Sequence, residues 1–210
     1  MSARSFSVGK SRRDDLFREK DDVTLPILRR IIIRRPGLFY AVLMPSLYGP
    51  ELFHLRERGV PGRNIFAVER DRQVHAVLAD PPDSYPHLFG IQTTPTAMDI
   101  RHAIDHIPFT EIDLVYIDLF GQPNGSHLQA LIKLFKLHQM LSGTVLIITY
   151  GRNRGSAFSC RLNARLVSGT VGQAYVESAI RESGHRIYKE IRGHEYVSRN
   201  INFNITEVLF

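Results

Sequence analysis

A single cysteine, Cys160, stands in the 210 residues of the chain. One thiol closes no intrachain disulfide and leaves out a zinc site made of several cysteines, so a reducing compartment suits the protein. Long apolar runs are missing as well. Stretches such as Leu38 to Met44 and Val145 to Ile148 fall far short of the roughly 20 residues that span a bilayer. The opening MSARSFSVGKSRRDD has no apolar core of a secretory signal, which sets the expectation of an intracellular, cytoplasmic protein. Low-complexity tracts are absent too, and 43% hydrophobic against 23% charged residues describes a globular chain rather than a disordered one. At this length one substantial core forms, with little room for a second full domain.

What is present in excess is positive charge, and it is unevenly placed. Residues 1–36 hold ten Lys/Arg against five Asp/Glu, residues 37–151 eight against eleven, and residues 152–210 nine against five. Two basic flanks around a mildly acidic middle attract polyanions and release their counterions, so a nucleic-acid partner is expected. The alternative is that the charge only keeps the chain in solution.

Residues 1–22 are polar and without apolar period, and read as a flexible basic arm; residues 23–210 read as one domain. The stretch DVTLPILRRIIIRRPG predicts a helix from Asp22 to Pro36-Gly37, with Arg29, Arg30, Arg34 and Arg35 on one side and Leu28, Ile31 and Ile32 facing the core. Strand and helix signals then alternate. Strands are expected at Leu38 to Met44, Asn64 to Val68, Leu88 to Gln92, Ile112 to Leu119 and Gly143 to Tyr150. Helices are expected at Pro50 to Arg58, Asp71 to Ala79, Thr96 to His106 (capped by Thr96), Ser126 to Leu141 and Val171 to Ser183. Such βα alternation forces parallel pairing, hence an α/β, doubly wound, mostly parallel sheet. The tail, with Ile201, Phe203 and Ile205 alternating, has no room for another helix and ends the sheet in an antiparallel strand pair.

Three stretches carry site-like chemistry. FYAVLMPSLYGPELFHLRERGVPGRNIFAVERD runs strand, turn, helix, strand and closes on Glu69, 20 positions beyond Gly49. A carboxylate there can accept two hydrogen bonds from a vicinal diol. The turn holds one glycine only, and the missing Gly-x-Gly-x-x-Gly disfavours a dinucleotide dehydrogenase. In IDLVYIDLFGQPNGSHLQ an apolar run delivers Asp118 to a loop with an aromatic ring and two amides. In LIITYGRNRGSAFSCRLNARL, Arg152, Arg154, Arg161 and Arg165 follow a strand with no acidic residue between them. That pattern suits a grip on phosphates. Open beside these readings are plainer ones: Gly49-Pro50 as a helix start, Glu69-Arg70-Asp71 as a helix cap, Asp118 as a loop cap, and the arginines as a solvated loop. Cys160 lacks the setting of a nucleophile, and His102 and His106 have no third ligand at metal spacing, so no metal is expected.

The succession of these stretches resembles the class I S-adenosylmethionine-dependent methyltransferase family across about residues 22–210. The resemblance implies a cofactor, S-adenosylmethionine, held by Pro45, Ser46 and Gly49 after the first strand, by Glu69 and Arg70 after the second, and by Thr93 after the third. It implies an acceptor side at Asp118, Asn124 and Tyr150. With nucleic acid as acceptor, Arg152, Arg154, Arg161 and Arg165 would contact phosphates, helped by Arg29, Arg30 and Arg34. The sequence departs from the family in LMPSLYGPE, where Met44, Pro45 and Ser46 replace a glycine-rich turn. Pro45 fixes its own φ and biases Met44 towards an extended conformation, so the turn is stiffer than the family norm and weaker cofactor binding follows. A protein partner for a methyltransferase-like assembly subunit is the alternative reading.

Overall fold

The computed structural model describes residues 24–45, 50–119, 125–152, 171–184, 190–198 and 201–210. Seven strands form one sheet: β1 (Ala41–Leu43), β2 (Ile65–Ala67), β3 (Gln92–Thr93), β4 (Glu111–Leu119), β5 (Gln139–Arg152), β6 (Glu190–Ser198) and β7 (Ile201–Leu209). Their order is β3-β2-β1-β4-β5-β7-β6. β1 to β5 pair in parallel, and β7 runs antiparallel to both β5 and β6. The doubly wound sheet and the terminal antiparallel pair are those the sequence predicts. Strand order reverses between β1 and β4, and in such sheets ligands bind at the carboxyl ends of the strands beside that reversal.

Helices cover both faces. α1 (24–30), α2 (Pro50–Glu57) and α3 (Arg72–Ala79) pack on one, where Ile27, Leu52, Leu55 and Leu78 meet Leu43, Tyr116 and Ile147. α4 (Ile100–Ala103), α5 (Gly125–Leu137) and α6 (Val171–Ser183) pack on the other, where Ile100, Leu131, Leu134 and Val176 meet Val42, Val115 and Leu146. β1 and β2 are buried along their whole length. Strands apolar on both faces are what a helix-covered parallel sheet requires.

Four boundaries differ from expectation. α1 stops at Arg30: the Ile31 amide turns back to the Leu28 carbonyl at 3.2 Å, and the Ile31 carbonyl accepts from Arg58 Nη1 at 2.6 Å. Residues 31–38 therefore leave the helix, and Ile32, expected in the core, is 71% exposed. α4 begins at Ile100 and is capped not by Thr96, four positions earlier, but by Asp99, whose side chain accepts from the Arg101 amide. Leu88 belongs to a 3₁₀ turn, Pro86–Leu88, and β3 is only Gln92–Thr93. α5 ends at Leu137 and β5 begins at Gln139, ahead of the expected Gly143.

Candidate active site

The sheet's carboxyl edge is assembled by the ladder itself. Leu43 pairs with Ala67 on one side and Tyr116 on the other. One further rung follows on each side, Met44 N–H to the Tyr116 carbonyl at 2.9 Å and Val68 N–H to the Leu43 carbonyl at 2.8 Å. Pro45 has no N–H to extend the ladder, so the strand ends there. Its ring is buried, and α2 begins five residues on at Pro50. Ser46 and Gly49 lie outside the described residues.

Glu69 comes two residues after β2 and is half-buried. Its Oε1 accepts from the Asp71 amide at 2.7 Å, while Asp71 caps α3 by accepting from the Gln73 and Val74 amides at 2.8 and 3.1 Å. The capping job is thus done by Asp71, and Glu69 shapes the turn before it. Burial pushes the Glu69 carboxyl above the usual carboxylate range, aided by the Asp71 charge and opposed by the amides of Asp71 and Arg70. The Glu69 carbonyl accepts from the Met98 amide at 2.9 Å, which ties the loop after β3 to the end of β2. Thr93 is half-buried and pairs with Ala67 in the neighbouring strand. Arg70 is exposed.

At the end of β4, Asp118 is half-buried beside Thr149 of β5, and the Thr149 hydroxyl donates to Asp118 Oδ1. Thr149 is fully buried, so this bond fixes the carboxylate from below. Tyr150 stands opposite Leu119 in the same ladder, and Arg152 closes β5. Asn124, Arg154, Cys160, Arg161 and Arg165 lie outside the described residues.

A polar cluster on this edge escapes sequence reasoning. Asp99 accepts from Arg101 Nε at 2.8 Å and Nη2 at 3.2 Å, and Arg101 Nη1 reaches Ser126 Oγ at 3.1 Å. The starts of α4 and α5 are joined in this way. Burial opposes ionisation of Asp99, yet hydrogen bonds from the Arg101 side chain and amide outweigh it and hold the carboxyl below its ordinary value. His127, one residue on, is pushed down by burial, with Arg101 and Arg70 adding to the effect against Asp99. The field of Arg70 at His127 shows that the Glu69-Arg70 turn and the start of α5 share one neighbourhood. Only the cap residue Asp99 before Ile100 and the Ser126-His127 helix start signalled this in the sequence.

Arg29, Arg30 and Arg34 are exposed and stand elsewhere. Asn64 Nδ2, just ahead of β2, donates to the Gly37 carbonyl at 2.9 Å, and Arg58, just past the end of α2, holds Ile31. Both contacts lie where strands begin, so residues 31–38 follow the amino edge. The structure therefore separates these arginines from Arg152, which ends a strand on the opposite edge. Arg34 also lies beyond the helix the sequence assigned it to. Among the described residues no three His, Cys, Asp or Glu side chains are grouped to hold a metal ion, and no helix is long and apolar enough to cross a membrane.

No protein-family model matches the chain, and no curated protein matches it. Solved structures do. Magnesium protoporphyrin IX methyltransferase (ChlM) from Synechocystis PCC 6803 with bound SAH is similar with a TM-score of 0.60 at 14% identity, over 93% of this chain and 85% of that one. The methyltransferase domain of bacterial CtHen1-CN is similar with a TM-score of 0.56 at 10% identity, over 93% and 100%. The [4+2]-cyclase SpnF is similar with a TM-score of 0.55 at 8% identity, over 90% and 80%. The chain has the class I S-adenosylmethionine-dependent methyltransferase fold. A likeness at such identities defines the fold and leaves the reaction to the site.

Proposed function

We propose that this protein is an S-adenosylmethionine-dependent methyltransferase whose acceptor is a nucleic acid. The observation that carries the reading is the half-buried carboxylate of Glu69 at the carboxyl end of β2, beside the end of β1. A carboxylate has about four acceptor directions. Two are taken by the amides of Asp71 and Arg70, and the two acceptor directions that remain suit the two hydroxyls of a ribose diol. Pro45, Ser46 and Gly49 would lie along the cofactor's methionine part, and Glu69, Arg70 and Thr93 along its nucleoside. When bound, S-adenosylmethionine supplies a sulfonium-activated methyl group. Asp118, oriented by Thr149, positions the acceptor's N–H or O–H and takes the proton it sheds. Asn124 and Tyr150 pack and hydrogen-bond the acceptor. The nucleic-acid part rests on the arginines that follow β5, Arg152, Arg154, Arg161 and Arg165.

A second reading keeps the fold without the chemistry. It is favoured by buried Pro45 in place of a flexible glycine and by the Asp71 amide on Glu69, and it makes the chain a nucleic-acid-binding or assembly subunit. Titration calorimetry with S-adenosylmethionine and S-adenosylhomocysteine separates the two. Micromolar binding is expected, followed by transfer of labelled methyl to mixed cellular nucleic acid. Asp118→Ala should abolish transfer and leave cofactor affinity nearly unchanged. No heat of binding and no label above background would overturn the enzyme in favour of the subunit.

A further inference from the structure

Apolar residues scattered singly over a surface need no explanation, whereas a concentrated set does. Ile32 is 71%, Leu38 59% and Phe89 41% exposed. All three belong to segments held together at the amino edge. Residues 31–38 are tied to Arg58 and to Asn64, and Gly62 lies so close to Phe89 that a Cβ there would come within 2.4 Å of the Phe89 carbonyl oxygen. Arg29, Arg34, Arg35 and Arg63 are exposed around them and make no ion pair among the described residues. Between residues 29 and 64 the acidic residues are Glu51, which is buried, and Glu57, against seven arginines. The edge therefore joins an apolar strip to exposed arginines, with Asp80, Asp83 and Glu111 as the exposed carboxylates at the same strand starts, on the opposite side of the sheet from the candidate active site.

We propose that this amino edge docks an acidic, amphipathic segment of a partner protein. Charge complementarity selects the acidic partner, since the four arginines gain ion pairs that they do not make among the described residues. The apolar strip selects protein over nucleic acid, because a phosphate backbone would satisfy the arginines and leave Ile32 and Leu38 in water. A second copy meeting the first through this same face would set arginine against arginine. A lipid surface is usually met by an amphipathic helix, and here the apolar residues come from short turns. Arginines and aromatic rings, here Phe89 among the arginines, are enriched where protein interfaces are strongest.

Fluorescence anisotropy with the full chain tests the proposal, using four probes: a peptide alternating Glu with Leu and Phe, a Glu-only peptide of equal length, a single-stranded oligonucleotide, and phosphatidylserine-containing vesicles. The mixed peptide is expected to bind about ten-fold tighter than the Glu-only one, the scale of one good anchor. Ile32→Ser with Leu38→Ser should erase that preference without lowering the melting temperature, because both side chains are exposed. Arg34→Glu with Arg35→Glu should weaken both peptides. Equal binding of the two peptides overturns the proposal. So does binding of oligonucleotide or vesicles that the Ser variant abolishes, or self-association in sedimentation that it abolishes. Methyl transfer is no part of the readout, so the result stands whatever the active site does.

Discussion

As the proposed cofactor ligand, Glu69 would couple stability to ligand binding in opposite senses. Burial raises its pKa in the folded state, with the neighbouring Asp71 charge adding to it. A raised folded pKa means that the protonated form suits the fold: the stability it contributes is present at low pH and is lost as pH rises through the elevated value. At neutral pH the charged carboxylate is a cost to the unliganded protein. Glu69→Gln keeps an acceptor for the Asp71 amide and removes the charge, so its melting temperature at neutral pH is expected to rise above wild type. Cofactor affinity should fall by about 1.5 to 3 kcal/mol, the scale of hydrogen bonds to a charged group. Wild-type affinity should likewise weaken on acidification through the raised pKa, and the Gln variant should lose that pH dependence. Thermal scans and calorimetry across pH check each part; unchanged affinity in Glu69→Gln would remove the residue from the cofactor site.

The elements that were legible are those whose apolar pattern decides their fate locally. β1 and β2 are buried runs that end ahead of Pro45 and Glu69, and the apolar run of β4 carries Asp118 one residue before its end, so the strand ends and their carboxylates could be read from composition along the chain. α6 matches its expected bounds for the same reason. Residues 31–38 could not be read, because their helical period is overruled by a contact 27 positions away, from Arg58 to the Ile31 carbonyl. A two-residue strand such as β3 carries no period at all. The Asp99, Arg101, Ser126 and His127 cluster depends on two helix starts meeting across 25 positions, which no local signal encodes. Gly62 is a further case: VPGRN reads only as a turn, yet a Cβ would strike Phe89 O at 2.4 Å and Gly90 C at 2.7 Å. Both are backbone atoms and cannot swing aside. Gly62→Ala is therefore expected to destabilise the fold by about 1 to 3 kcal/mol, the usual cost of overpacking. Gly37→Ala, with nothing within 4 Å, should cost far less in the same urea titration.

Across the whole molecule the two edges of the sheet carry separate sets of arginines. The carboxyl edge carries Glu69, Asp118 and the start of the arginine stretch at Arg152, while the amino edge carries Arg34, Arg35 and Arg63. A formal net charge of +6 by itself says nothing about which group meets a nucleic acid. Counterion release does, because each phosphate neutralised contributes roughly 0.7 to the slope of log affinity against log salt for a single strand. If the stretch after β5 grips the acceptor, replacing Arg152, Arg154, Arg161 and Arg165 together by Ala should flatten that slope by about 3 for a single-stranded oligonucleotide. Replacing Arg29, Arg34 and Arg35 should change it by less than about 1, since these side chains stand on the other edge. Filter binding over a salt series with both variants measures the difference directly. An equal loss from both would mean that the strand wraps around the sheet from one edge to the other, and no binding by the wild type at low salt would point instead to a small-molecule acceptor held at Asp118.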